Sequence, residues 1–299
     1  AKIYADSLID ADGHIKTMKY LSFNIDNVNG GKILFDLYAQ TGDERYKIAM
    51  DTLRKQMAEQ PRTSEGGFWH KLRYPHQMWL DGIFMASPYL VQYGATFDEP
   101  ALFDEATKQI LLIKSKTYDP ATGLYYHGWD ESHEQKWSNP ETGCSPNFWS
   151  RSIGWYGAAI VDVLDFLPQE TAGRDSIIQI LQGLAKAIVK YQDPSSGTWY
   201  QVTDQGAREG NYLESSATAL FIYTLAKAIN KGYIGNEYIE PTQKAFDGMV
   251  KTFTRLEEDG SYTITNCCAV AGLGGDSKRY RDGSFEYYIS EPIIENDPK

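Results

Sequence analysis

Apolar residues recur at helical spacing in KILFDLYAQ (32–40), ERYKIAMDTLRKQM (44–57), FDEATKQILLIKSK (103–116), GAAIVDVLDFL (157–167), DSIIQILQGLAKAIVKY (175–191), ATALFIYTLAKAIN (217–230) and YIEPTQKAFDGMVKTF (238–253). Several open on helix-start chemistry: Asp43 in TGDERY, Asp98 in FDEPA with Pro100 in the first turn, and Asp175 after Gly173. The predicted helices come in pairs. The first of a pair is apolar and rich in small residues, as in GAAIV and SSATA, while the second carries Lys, Glu and Gln along one face. That asymmetry predicts an inner ring of helices inside an outer one. Nine helices are well marked, and a weaker tenth follows Gly283. A closed ring of six hairpins needs twelve, so the count fits a ring lacking its first and last helices.

A short unit recurs between the pairs, a Gly followed by aromatic or β-prone residues. Its copies are DADGHI, SEGGFW, PATGLYY, PSSGTW and EEDGSY, with glycines at Gly13, Gly67, Gly123, Gly197 and Gly260. Successive copies lie 54, 56, 74 and 63 residues apart, too far for a common helical solenoid but suited to one helix pair plus one loop. Each loop then returns the chain to the same end of the ring, so the residues opening the next inner helices gather around one mouth. Those openings are NIDNVNGG with Asp26, MWLDGIF with Asp81, FWSRSIGW with Arg151 and YLESSAT with Glu214. Acids and an arginine set among aromatics at equivalent points of a repeat predict a sugar-binding cleft. The long segments HKLRYPHQM, HGWDESHEQKWSNPETGCSPN and QVTDQGAREGN lie at the same end and are rich in His, Trp and Arg.

Length alone leaves one or two domains open at 299 residues. The repeat favours a single domain over 1–299, because an isolated hairpin cannot bury its apolar face. A formal net charge of −11 without a Lys/Arg-rich run argues against nucleic acid as partner. No window approaches the roughly 18 apolar residues of a membrane span. Cys144, Cys267 and Cys268 form neither a disulfide framework nor a metal-ligand spacing and read as buried thiols. No His/Asp/Cys pair has a recognisable metal spacing, and phosphate loops, nucleophile elbows and other cofactor signatures are absent from the sequence. Neither a metal nor a cofactor is expected. The chain opens in what looks like the end of a helix, AKIYADSLID, without a visible signal peptide. The cytoplasm or periplasm of a bacterium is the expected compartment, and a monomer or weak homodimer the expected state.

Asp81 lies between Trp79 and Phe84 at the start of an inner helix. Burial beside aromatics disfavours the charged carboxylate and suits a proton donor, while the helix amino terminus pulls the other way. The plainer reading is a helix cap. Asp26 holds the equivalent place one repeat earlier, with the same alternative. Two acids facing one cavity can be driven to different protonation states, which is how a pair divides acid and base work. Arg151, between Trp149 and Trp155, can fork onto a carboxylate, or serve only in a structural ion pair with a neighbouring aspartate. His70, Lys71 and His127 can supply charge or hydrogen bonds nearby, and Trp69, Trp79, Trp129, Trp149, Trp155 and Trp199 stand near the same loop ends, some of them as core. Asp130 in HGWDE reads as a turn-forming aspartate.

The motifs GGFWHK, YPHQMWLDGIFMASP, LYYHGWDE, NFWSRSIGWYGAAIVDVLDFLP and the tail DGSFEYYISEPIIENDPK span nearly the whole chain. They resemble the unsaturated rhamnogalacturonyl hydrolases of glycoside hydrolase family 105. The resemblance implies an all-α fold, the (α/α)6 barrel, in which a first inner helix would precede residue 1 and a last helix would follow NDPK. It also implies an unusual reaction. A carboxylic acid protonates the 4,5-double bond of an unsaturated uronic acid, water adds at carbon 5, and the hemiketal opens to release the neighbouring sugar. By motif, Asp81 matches the catalytic acid/base and Asp26 its partner, while His70, Lys71, His127, Trp149, Arg151 and Trp155 match substrate-binding positions; Trp79, flanking Asp81, joins them as a substrate-binding candidate. The implied partner is an acidic oligosaccharide, unsaturated galacturonyl-rhamnose first and a glucuronyl counterpart from glycosaminoglycan or ulvan second. A sugar epimerase using His70 and His127, or a non-catalytic carbohydrate-binding ring, are the remaining readings.

Overall fold

A computed structural model describes residues 1–206, 208–276 and 279–296. The end of the tail motif and one residue of QVTDQGAREGN lie outside them. The helices are α1 (Lys2–Leu8), α2 (Asp26–Asn29), α3 (Lys32–Thr41), α4 (Glu44–Glu59), α5 (Leu80–Phe97), α6 (Ala101–Thr117), α7 (Ser150–Phe166), α8 (Arg174–Lys190), α9 (Ser215–Asn230), α10 (Ile239–Phe253) and α11 (Phe285–Ser290). Helix α2 is a one-turn prelude to α3, and α11 is the tenth helix expected after Gly283. Inner helices α2, α5, α7 and α9 pack side by side, and α4, α6, α8 and α10 back onto α3, α5, α7 and α9 as outer partners. The architecture is that of (α/α)6 barrels.

The inner helices are apolar nearly all round because they are covered on both sides. In α7, Ile153, Tyr156, Ala159, Ile160, Val163 and Leu164 all enter the core that also takes Leu181, Leu184 and Ile188 of α8 and Phe221 and Leu225 of α9. Each fully buried Leu or Ile stabilises the ring by about 1.5–3 kcal/mol. A second core gathers α1, α3, α4 and the second half of α5 around Phe35, Tyr46, Leu53 and Tyr89. Gly31, between α2 and α3, lets these layers touch: a Cβ there would lie 2.4 Å from Leu53 and 2.9 Å from Tyr89.

The recurring turn is confirmed with one correction. In each copy a backbone N–H reaches back across a left-handed glycine to the next carbonyl: Asp10 to His14, Thr63 to Gly67, Asp119 to Leu124, Asp193 to Thr198 and Glu257 to Ser261. The left-handed residue of the second copy is Gly66 (φ 88°), so Gly67 is not the equivalent of Gly13, Gly123, Gly197 and Gly260. Asp98 also differs from expectation. It ends α5 in a left-handed conformation (φ 57°), leaving Pro100 to open α6. Asp43 does cap α4, accepting from the Arg45 N–H.

Helix α5 contains Pro88, which has no N–H to offer the Phe84 carbonyl one turn back. Lys32 of α3 replaces it, donating from Nζ to that oxygen at 2.8 Å with its charge 3.5 Å from the Phe84 ring centroid. Phe84 in turn packs on Trp155, with centroids 4.5 Å apart. The short antiparallel pair of β1 (Gln77–Trp79) and β2 (Gly128–Asp130), joined through α5 and α6, lies at the same end of the ring as the helix openings, and β1 runs directly into α5. Among the described residues no helix is long and apolar enough to cross a membrane.

Candidate active site

Asp81 and Arg151 are each the second residue of their helices, and Asp26 is the first of α2, so the ring brings all of them to one end. None is a side-chain cap: the caps of α2, α5 and α7 are Ile25, Trp79 and Trp149, without side-chain bonds. Together with His70, Lys71, Trp79, Trp149 and Trp155 they line a cleft of about 470 Å³. His127 lies behind this wall, fully buried.

Asp26 meets His70 Nε2 at 3.2 Å and Lys71 Nζ at 2.6 Å. Burial alone would raise its carboxyl, but the charges of His70 and Lys71 outweigh that and hold it well below the usual carboxylate range. His70 is itself fixed by stacking on Trp79, with centroids 4.4 Å apart and planes at 16°. Gly82 makes room for it, since a Cβ there would stand 3.0 Å from His70 Nδ1.

Asp81 Oδ2 lies 3.2 Å from His127 Nε2. The two are off the line of a hydrogen bond, so both atoms are buried without a hydrogen-bond partner. Unpaired buried polar atoms are uncommon and costly, and catalytic contacts often tighten only when substrate arrives. The other nitrogen of His127 meets the Tyr288 hydroxyl at 2.8 Å. Burial pushes that phenol well above its ordinary value. Trp79 and Trp149 flank the imidazole, with centroids at 5.6 and 4.8 Å.

Arg151 is buried, and its ion-pair partner is Glu214 rather than an aspartate: Nη2 reaches Oε1 at 3.2 Å and also donates to the Cys268 carbonyl. Burial opposes the charge, but the Glu214 carboxylate reverses this and raises the guanidinium above its ordinary value. Nε remains buried and without a hydrogen-bond partner at the cleft. Glu214, read from sequence as an acid at the mouth, is fully buried and caps α9 by accepting from Ala217 N–H. Asp130 forms the expected turn, accepting from Ser132 and Gln135 N–H groups, but it ends β2 and is fully buried rather than on a solvated loop. Trp199 belongs to the core, its indole donating to the Ile188 carbonyl. Sequence reasoning missed Arg73, Tyr74 and Arg281 on the cleft wall and Tyr288 behind it. One group among the described residues has the spacing to hold a cation, Asp10, Asp12 and His14, on the surface outside the cleft.

The family model of Glycosyl Hydrolase Family 88 matches residues 1–299. A solved glycoside hydrolase from family 105 of C. acetobutylicum ATCC 824 superposes with a TM-score of 0.96 at 44% identity, covering 98% of this chain and 81% of that one. Protein Atu3128 of Agrobacterium fabrum is 37% identical over 72% of this chain and 93% of its own length. The unsaturated rhamnogalacturonyl hydrolase YesR of Bacillus subtilis is 28% identical over 79% of this chain and 65% of its own length.

Proposed function

The chain belongs to glycosyl hydrolase family 88 and is a glycosidase of the unsaturated uronyl hydrolase kind; from that premise we propose that it removes unsaturated galacturonate from rhamnose at the non-reducing end of pectin-derived oligosaccharides. Residues 1–299 act in this reading as one catalytic domain. The observation that carries it is the pairing of two differently held acids in one cleft. Asp26 is kept ionised by His70 and Lys71, so it is the polarising partner and not the proton donor. The donor role falls to Asp81, whose Oδ2 is unpaired beside His127.

Asp81 delivers its proton to carbon 4 of the 4,5-double bond, water bonds to carbon 5, and the water's proton returns to the Asp81 carboxylate. The hemiketal then opens to a ketone at carbon 5, leaving carbon 1 with a hydroxyl and the rhamnose oxygen. Collapse of that centre to an aldehyde expels rhamnose. In the His127 tautomer whose Nδ1 accepts from the Tyr288 phenol, the ring proton sits on Nε2, beside Asp81, where it steadies the carboxylate in the stage when it is charged. Arg151 Nε and the indoles of Trp149 and Trp155 face the uronate ring.

The test is ultraviolet absorbance of unsaturated galacturonyl-rhamnose incubated with the protein, followed by assay of free rhamnose. Loss of absorbance with stoichiometric rhamnose is expected. A stable absorbance on this substrate, with turnover of the glucuronyl counterpart, would move the proposal to the other uronate.

A further inference from the structure

Two guanidinium groups converge on one phenol oxygen at the cleft wall. Arg73 donates from Nη2 to the Tyr74 hydroxyl at 2.6 Å, and Arg281 donates from its own Nη2 to the same oxygen at 2.7 Å. Arg281 also donates from Nε to the Gly274 carbonyl at 3.1 Å, which fixes its plane. Lys71 is paired with Asp26 and Arg151 with Glu214, but among the described residues neither Arg73 nor Arg281 forms an ion pair with a carboxylate. In a chain of net charge −11, two like charges held together without a counter-charge are an arrangement that an incoming anion relieves.

Their position says which anion. Tyr74 stacks on Trp79 with centroids 5.0 Å apart, and Trp79 stacks on His70 at 4.4 Å. The guanidinium pair is therefore set two ring layers away from the His70 and Asp26 contact, beyond the ring that reacts. We propose that Arg73 and Arg281 recognise a second oxyanion, carried by the sugar next to the unsaturated uronate, as a carboxylate or a sulfate ester. This rests on the reading that the unsaturated ring lies between Asp26 and Asp81, and it makes neutral rhamnose an accepted neighbour but not the preferred one.

The test compares kcat/KM on unsaturated uronyl disaccharides whose second sugar is neutral rhamnose, rhamnose sulfate or galacturonate. Charge-assisted hydrogen bonds predict a preference for one or both charged partners of at least about tenfold. Which of them is preferred identifies sulfate or carboxylate as the source. The preference falls at least tenfold in Arg73→Gln and in Arg281→Gln, while Arg281→Lys retains part of it; Arg73 is exposed, so its variant folds. Absence of a preference in the parent, or a preference that both glutamine variants keep, overturns the proposal. Binding of saturated digalacturonate, read by quenching of tryptophan fluorescence, separates this from the reaction itself. If no disaccharide is turned over yet the variants weaken that binding, or binding of saturated galacturonyl-rhamnose sulfate, tenfold, the anion point stands and the reaction assignment fails; equal binding of both probes by parent and variants overturns the anion point.

Discussion

Lys32 occupies the place of a hydrogen that Pro88 lacks. Its Nζ donates to the Phe84 carbonyl at 2.8 Å, the acceptor that an ordinary residue at 88 would have served from within α5. The charge is held against burial, which pushes it down to about 7 although Asp162 pulls the other way. Unfolded, the amine keeps its proton to about 10.4. Between those values the unfolded chain binds the extra proton, so this residue's contribution to stability rises with pH across that window and is at its worst below 7. The melting-temperature advantage of the parent over Lys32→Met is expected to grow between pH 7 and pH 10. The double variant Pro88→Ala/Lys32→Met should recover stability relative to the lysine variant alone, since the helix regains its own donor; an additive result would detach the two residues.

Asp81→Asn keeps the shape of the site and removes the proton. A loss of about 10²–10⁴-fold in kcat is expected, with little change in melting temperature. Activity within tenfold of the parent would take Asp81 out of the chemistry.

Asp26 contributes stability above the ordinary carboxylate value that is lost only as pH falls through its depressed folded value. Lys71→Met removes one of the two cations that depress it. The acid limb of the kcat/KM profile is expected to move upward, by on the order of one pH unit for an adjacent charge. An unmoved limb would assign that limb to another group.

Glu214 and Arg151 are buried together, and removing one charge leaves the other without compensation. Glu214→Gln is expected to cost about 3–5 kcal/mol in chemical denaturation, even though Glu214 does not line the cleft. Arg151→Met/Glu214→Gln should cost less than the sum of the single changes. Arg151→Ala should raise KM in addition, because Nε faces the cleft; an unchanged KM would leave it a purely structural cation.

The helix pairs were legible because outer helices carry one polar face, which periodicity detects. Helix α7 begins at Ser150, well before the apolar run at 157, because SRSIG is buried without being periodic. Asp26, Asp81 and Arg151 could be placed at one end because each opens an inner helix. Glu214 opens one too, but as a cap it turns back onto its own helix and Arg151, a distinction of side-chain direction that spacing does not encode. Arg281 and Tyr288 carried no local signal, since their partners lie in distant segments of the chain, and Arg73 bonds its neighbour Tyr74 on a wall that only Arg281 completes.

The hydrogen bond from Arg281 to Tyr74 joins residues 207 positions apart. Ribosomes add about 5–20 residues per second, so roughly 10–40 seconds separate the synthesis of the two sides of this wall. By the time Arg281 is made, Asp26, Asp81 and the Tyr74–Trp79–His70 stack have all long been synthesised, so this flank of the cleft is the last part of its wall to become available.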